Sequence, residues 1–473
     1  MKFDINVQNI GKVKSAKLKI RPFTVISGAN SSGKSFITKT LYSLFNTISQ
    51  DHLTISSSNI VMHMRGLVYA CRHNLVSPSY AVSSELEELE ELIDRLYYTL
   101  IVEFGSCTYS EQVAKSYIVK EMCNKIINHL SMIQLNIEGI KKYEGYAYNI
   151  KIIKENANGL NNIFDNQDET LITHISNGFK DALKDNFQVT NLFDLKNNQA
   201  DKNDKIKLDF GVLGSFEING DDIKFKLKRD SLNYFQSLNN VVFIESPIYW
   251  KLRNSLRFIK ENNTLLNRFR FGTRKDSTTK LSGVPKYVDD LMSLVEEKFK
   301  TSDANESNIE LYSEIVKTIG GELDISESGD IIFNQNQQSI NINLTATGIA
   351  NLGLIALLLK RNVISKGSYI FVDEPEVNLH PAWQKVMVQT LYKLSMSGIN
   401  VVIASHSIDM MKYIENIIDG LDFKIVDDHF AINQLSNEGI SLNDGAHPST
   451  VLASIKSDLG ASFFDMFLDS NSW

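Results

Sequence analysis

Three short stretches of this 473-residue chain hold residue types at spacings that do chemistry. Residues 28–35, GANSSGKS, match G-x-x-x-x-G-K-S. In that pattern the glycines let backbone N–H groups turn onto a phosphate chain, the lysine neutralises its charge and the last hydroxyl reaches a divalent cation. The expected phosphate-binding residues are Gly28, Asn30, Ser31, Ser32, Gly33, Lys34, Ser35 and Phe36. In the second stretch, YIFVDEPEVNLHP, an apolar run ends in Asp373 and Glu374. The third, VVIASHS, ends in the same way with His406 and Ser407. Asp373 is expected to share a Mg²⁺ shell with Ser35, while Lys34 meets the β- and γ-phosphates. Glu374 is placed to accept a proton from an attacking water. His406 is placed to hydrogen-bond the γ-phosphate or orient that water. In a fourth segment, NLTATGIANLGLIALLL, Thr345, Thr347 and Gly348 precede a long apolar run. A hydroxyl and free N–H groups at a helix start form a second phosphate receptor.

The elements that must position these residues are legible around them. FDINVQNI, AKLKI and FTVISG alternate or run apolar as short strands, and KSFITKTLYSLFNTI has a helical period. The phosphate loop therefore lies between a strand and a helix. Residues 60–200 turn helix-rich and glycine-poor. Leu86, Leu89, Ile93, Leu96 and Leu100 recur at three or four, with Ser84 and Glu87 reading as a capping box. Val113, Tyr117, Met122, Ile126, Leu130 and Ile133 repeat the pattern, so two or more antiparallel helices are expected.

Hairpins are expected at Asn219-Gly220 and near Ser328-Gly329, with an apolar strand NVVFIESP between them and helices over 287–299 and 309–319. Strand and helix then alternate through SYIFVDEP, PAWQKVMVQTLYKL and NVVIASHS as in a parallel sheet covered by helices. The last residues read as a helix, a hairpin over 423–442 and a final helix from about 449 to 467. The expected organisation is 1–60 and 201–473 as one α/β domain, with 61–200 as a helical insertion.

Composition narrows the rest. A 43% hydrophobic chain with 7 prolines describes an ordinary folded protein. The polar start MKFDINVQNI and the absence of any membrane-length apolar run point to the cytoplasm and away from a membrane. Cys71, Cys107 and Cys123 are odd in number and lack metal-ligand spacing, so buried reduced thiols are expected. A net charge of -7 argues against a chain that coats nucleic acid along its whole surface. Residues 251–280 are the local exception, with nine Lys or Arg that include Arg268, Arg270, Arg274 and Lys275 around Phe269 and Phe271. Such a segment suits a phosphate backbone or a subunit contact.

The order of P-loop, long insertion, signature-like segment, DEPExxLHP and following histidine resembles the ABC-type ATPase heads of the SMC/RecF group. More narrowly, DEPEVNLHPAWQ looks like the ATPase domain of overcoming-lysogenisation-defect nucleases and their stand-alone relatives in bacterial antiphage systems such as PARIS and Septu. The resemblance implies an α/β ABC/SMC-type P-loop ATPase head, a mixed sheet with flanking helices carrying a helical insertion. It implies ATP and Mg²⁺ as cofactors. It also implies a homo-oligomer in which Thr347 and Gly348 of one copy cap the nucleotide of another, although the usual Ser-Gly-Gly pattern is replaced here by Thr345-Ala346-Thr347-Gly348. A Gln marking the Q-loop is not evident, and the bend at 245–247 is the expected place. The related nucleases continue into a TOPRIM domain, whereas 67 residues follow His406 here. Any nuclease, TOPRIM or HNH, is therefore expected on a separate polypeptide, triggered through DNA or a phage protein. The alternative is a RecF/SMC-like repair ATPase that clamps DNA.

Overall fold

The computed structural model describes residues 2–73, 80–201, 203–227, 229–236, 238–245, 249, 252–253, 255–260, 283–296, 306–327 and 329–470. The chain divides into two compact units. One comprises Met1–Ser49, Phe179–Lys226 and Leu238–Trp473; the other comprises Gln50–Gly178 and Leu227–Ser237. The basic cluster of Arg268, Arg270, Arg274 and Lys275 lies outside the described residues, as do Ser246 and Pro247.

The first unit, the head, is built on a six-stranded sheet. In chain order its strands are β3 (Phe23–Gly28), β7 (Val241–Ile244), β11 (Tyr369–Asp373), β12 (Asn400–Ser405), β13 (Phe430–Leu435) and β14 (Ser441–Leu442). They lie in the order β14-β13-β3-β12-β11-β7. All neighbours run parallel except the short β14. Every residue of β3, β11, β12 and β13 is buried, which is why these strands read as continuous apolar runs. Helix Lys34–Ile48 (α1) and the helices Thr347–Lys360, Pro381–Met396 and Ile408–Ile418 contribute to this core. The strands β1 (Phe3–Ile10) and β2 (Val13–Ile20) form the expected hairpin and join β4 (Ile206–Asp209), β5 (Gly214–Asn219) and β6 (Asp222–Leu227) in a second sheet of order β2-β1-β4-β5-β6. The Asn219-Gly220 turn connects β5 (Gly214–Asn219) to β6 (Asp222–Leu227) as expected. The second expected hairpin is also present, Glu322–Ile325 against Ile331–Gln335.

The segment read as a hairpin over 423–442 differs. Its first part is a helix, Phe423–His429, and its second part is β13, which pairs in parallel with β3 before turning into β14. A parallel neighbour needs a crossover connection rather than a tight turn, and the helix belongs to it. Asp427 and Asp428 sit on that helix, where Asp428 pairs with Lys2 at 2.8 Å.

In the second unit, helices α2 (His52–Arg72), α3 (Tyr80–Tyr98), α4 (Tyr109–Ile137) and α5 (Glu144–Asp165) pack as α2 on α3, α3 on α4, α4 on α5 and α5 back on α2. Leu86, Leu89, Ile93, Leu96 and Leu100 are fully buried, as their spacing predicts. On α4 the buried stripe is Val119, Cys123, Ile126, Leu130, Ile133 and Ile137, so Tyr117 is exposed and Met122 lies at the stripe's margin. The expected cap at Ser84 and Glu87 lies inside α3, because helix is already established at Tyr80. The capping box of this unit is Thr108 with Glu111, whose carboxylate accepts the Thr108 N–H at 2.8 Å. Cys71 and Cys123 are buried and reduced, whereas Cys107 is half-buried. Burial pushes the Cys123 thiol up to about 12, which keeps it neutral.

Candidate functional site

The loop between β3 and α1 has the backbone that its glycines permit. Gly28 has φ +155° and Gly33 φ +102°. A Cβ on Gly28 would sit 2.5 Å from the Leu435 carbonyl oxygen, and one on Gly33 would sit 2.7 Å from Val13 Cγ2. Any other residue at either place would push the loop off β13 or β2. Ser31 also takes a left-handed conformation, at φ +64°. The loop thus leads into the start of α1, where the helix dipole favours an anion.

Lys34 is buried and donates to the carbonyl oxygens of Gly28 and Ala29, each at 2.9 Å. Its ammonium lies across the mouth of the loop. Burial pushes its pKa down from the ordinary lysine value, opposed by the carboxylates of Glu374, Asp373 and Glu376. The lysine is therefore the counter-charge to three acids that are distant in sequence.

Those acids stand together because of strand order. β12 separates β3 from β11, and all three end at the same carboxyl edge, where open α/β sheets bind ligands. Asp373, the last residue of β11, is 5% exposed. Burial raises its pKa to about 6; the Ser35 hydroxyl, hydrogen-bonded to it, pulls the other way, and Glu245 adds a raising charge. Asp373 Oδ1 and Ser32 Oγ are buried without a hydrogen-bond partner. Glu374 follows with φ +51°, a conformation that costs a side-chain-bearing residue free energy and clusters at functional sites. Its N–H is fixed by the Ala404 carbonyl at 2.8 Å, and its carboxylate lies 3.6 Å from His406 Nδ1.

Glu376 was not singled out by sequence reasoning. It is buried, and one of its oxygens accepts from Ser405 Oγ and from the His406 N–H, both at 2.9 Å. The same oxygen is 3.3 Å from His406 Nδ1, a charge contact whose angle is not that of a hydrogen bond. Glu376 thus pins the turn that carries His406. The second acid of DEPE was the available signal. Ser407 extends this wiring by accepting the Met410 N–H at 3.2 Å and donating to Gln384 at 2.8 Å.

Glu245, next after β7, pairs with Lys39 of α1 at 2.9 Å and accepts from the Tyr287 hydroxyl. Burial, followed by Glu245, drives the Tyr287 pKa far above its usual value, so the phenol remains a donor. Thr347 is the first residue of helix Thr347–Lys360, with Ala346 as N-cap. The Thr345 hydroxyl is turned back onto the Ile342 carbonyl at 2.7 Å. Gly348 is buried, and a Cβ there would meet Leu379 at 3.1 Å and Trp383 at 3.6 Å. The small residue at 348 thus has a packing reason of its own.

The residues fit a nucleotide with Mg²⁺. Among the described residues no group of three or more His, Cys, Asp or Glu is arranged to hold a metal by itself. One carboxylate and one hydroxyl beside a phosphate loop are nevertheless what a magnesium–nucleotide complex needs, since Mg²⁺ keeps waters and takes its other ligands from phosphates. Ser35 touching Asp373, with a further buried oxygen of Asp373 open to a ligand, supplies that pair.

The family model for the AAA ATPase domain matches residues 1–411, and the chain belongs to that family. No curated protein matches it. Among solved structures, the head of an Smc protein bound to the C-winged helix domain of ScpA is similar at 12% identity and TM-score 0.38, covering 93% of this chain and 96% of that one. An Smc head with a coiled coil and joint from Pyrococcus yayanosii is similar at 11% identity and TM-score 0.32, covering 97% of this chain and 99% of that one. No helix among the described residues is long and apolar enough to cross a membrane.

Proposed function

We propose that this chain binds and hydrolyses ATP as one subunit of an assembly that controls a separate effector. The observation that carries the reading is the meeting of Lys34, Asp373, Glu374 and His406 at one sheet edge, across a loop shaped for phosphates. Ser35 and Asp373 hold Mg²⁺, which supplies charge neutralisation of the phosphates. Lys34 leaves the Gly28 and Ala29 carbonyls to meet the β- and γ-phosphates. Glu374 accepts the proton of the attacking water, and His406, held by Glu376, hydrogen-bonds the γ-phosphate. Asn30, Ser31, Ser32, Gly33 and Phe36 contribute loop N–H groups. Thr347 and Gly348 cap the nucleotide of a neighbouring copy, so ATP joins the heads into a homo-oligomer.

The resemblance of DEPEVNLHPAWQ to antiphage ATPases supports a bacterial defence role, with a TOPRIM or HNH nuclease as effector, DNA or a phage protein as trigger, and a cytoplasmic location. The test is the Glu374→Gln variant. It is expected to bind ATP, hydrolyse it about 10²-fold more slowly and accumulate as a larger species on size-exclusion chromatography with ATP. Normal turnover overturns the assignment of Glu374, and an unchanged elution volume overturns the ATP-joined oligomer. A wild-type chain whose ATPase depends on DNA and which co-purifies with no nuclease would favour the repair-clamp alternative.

A further inference from the structure

We infer that Gln384 is a positioning residue for the hydrolysis, holding the turn that carries His406 through a closed ring of hydrogen bonds; this rests on the phosphate-site reading above. The need for such a residue follows from His406 itself. Its Nδ1 is buried and makes no hydrogen bond, while oxygens of Glu376 and Glu374 lie 3.3 and 3.6 Å away as charge contacts only. No side chain grips the imidazole through that nitrogen. The ring therefore points where its backbone points, and whatever fixes residues 405–407 fixes the donor to the γ-phosphate.

The hydrogen bonds around those residues return to their starting point. Glu376 Oε1 accepts the His406 N–H and the Ser405 hydroxyl, each at 2.9 Å. Ser405 Oγ in turn accepts the Ser407 N–H at 3.1 Å. The Ser407 hydroxyl donates to Gln384 Oε1 at 2.8 Å, and the Gln384 amide nitrogen donates to the Leu379 carbonyl at 3.2 Å. Leu379 N–H donates to the Glu376 carbonyl at 3.0 Å, which closes the ring. Three segments are joined by it: Glu376 to Leu379 after β11, Ser405 to Ser407 at the end of β12, and Gln384 in the first turn of helix Pro381–Met396.

Gln384 has the one chemistry that this place in the ring accepts. It must take a proton from Ser407 and give one to Leu379 from the end of a single side chain; a carboxylate offers two acceptors and an aliphatic chain neither. Gln384 is buried, so water does not stand in for a lost partner. The far end of the ring is also braced. A Cβ on Gly348 would meet Leu379 at 3.1 Å and Trp383 at 3.6 Å, so Leu379 has no room to move toward helix Thr347–Lys360 and take up slack. Opening the ring at Gln384 thus loosens the side that can move, the turn at His406.

The experiment is steady-state hydrolysis of ATP with Mg²⁺ by the full chain, as wild type, Lys34→Ala, Gln384→Glu, Gln384→Met, His406→Ala and His406→Ala combined with Gln384→Glu. Gln384→Glu keeps the acceptor toward Ser407 and loses the donor; Gln384→Met keeps the volume and loses both. Each is expected to lower kcat about tenfold with KM held within about twofold, and to bind ATP with wild-type stoichiometry, so that the lost rate is not lost folded protein. Where the buried carboxylate of Gln384→Glu unfolds the chain, Gln384→Met carries the same expectations, alone and combined with His406→Ala. In the His406→Ala background the change at 384 is expected to be silent, because its effect passes through His406. Wild type that hydrolyses ATP no faster than Lys34→Ala overturns the phosphate-site reading, and the role of Gln384 falls with it. Wild-type turnover with kcat unchanged in the Gln384 variants, with KM raised in place of a lower kcat, or with the same tenfold loss repeated in the His406→Ala background overturns the role of Gln384 alone.

Discussion

The two units bury different things. In the helical unit the interior is a stripe of Leu, Ile, Val, Tyr and Cys running through α2 to α5, and its buried polar side chains are uncharged. Gln112 typifies them, its amide nitrogen donating to Asp51, Thr54 and the Phe104 carbonyl. In the head, by contrast, lie all the buried Lys, Arg, Asp and Glu side chains among the described residues: Lys34, Arg253, Asp373 and Glu376. Three of the four gather at one edge of the parallel sheet. Burying a charge is costly, and doing so with partners drawn from three distant segments adds little stability over an apolar core. A helical unit packed around apolar side chains and a head that concentrates its buried charge at one edge place the candidate site in the head.

That contrast can be broken most strongly at Lys34. Lys34→Ala should lower ATP turnover about 10³-fold and abolish ATP binding by isothermal titration, with little change in the melting of the helical unit. Wild-type turnover would show that the buried charge is structural. The mirror experiment is Ile126→Ala in α4. It should cost about 2–5 kcal/mol in denaturant unfolding, as a cavity in a close-packed interior does, and leave ATP affinity unchanged. A parallel loss of affinity would dissolve the distinction between the units.

Asp373 sharpens the comparison through pH. Its folded-state pKa is raised from 3.8 to about 6, so its contribution to the stability of the nucleotide-free protein is fully present below about pH 4 and is lost as pH rises through about 6. The difference amounts to roughly 3 kcal/mol at most. Asp373→Asn should therefore melt higher than wild type at pH 8, lose that pH dependence between 4 and 6, and lose magnesium-dependent turnover. A lower melting temperature at pH 8 would contradict the strain assigned to this site. The smallest expected effect is that of Glu376→Gln. Slackening the grip on the His406 turn should reduce kcat about tenfold with KM held, because the glutamine oxygen still accepts from Ser405 and the His406 N–H but without the carboxylate's charge.

Much of this arrangement is legible locally. The glycine pattern of 28–35 specifies a loop, since only glycine tolerates φ +155° and φ +102° with neighbours as close as Leu435 and Val13. The apolar runs that stop at Asp373 and before His406 specify strand ends. The stripe from Leu86 to Leu100 is equally clear because five leucines and isoleucines, four on α3 and Leu100 in the turn after it, hold one face without a break. Local signals misled where more than one register satisfies them. Ser84-x-x-Glu87 is a cap only if nothing helical precedes it, and Tyr80 to Ser83 continue the helix backwards. On α4 apolar residues occur at several offsets, and packing against α3 and α5 chose the stripe through Val119 and Cys123 over the one through Tyr117.

The sequence by itself determined the phosphate loop, the acids and histidine that end two strands, and a helical insertion, because each depends on neighbours a few residues away. Only the tertiary structure decided that β12 lies between β3 and β11, that β13 turns in parallel beside β3, and that Glu376 holds the His406 turn. Those are pairings across tens to hundreds of residues, set by which apolar faces could be buried together, and no local pattern encodes them.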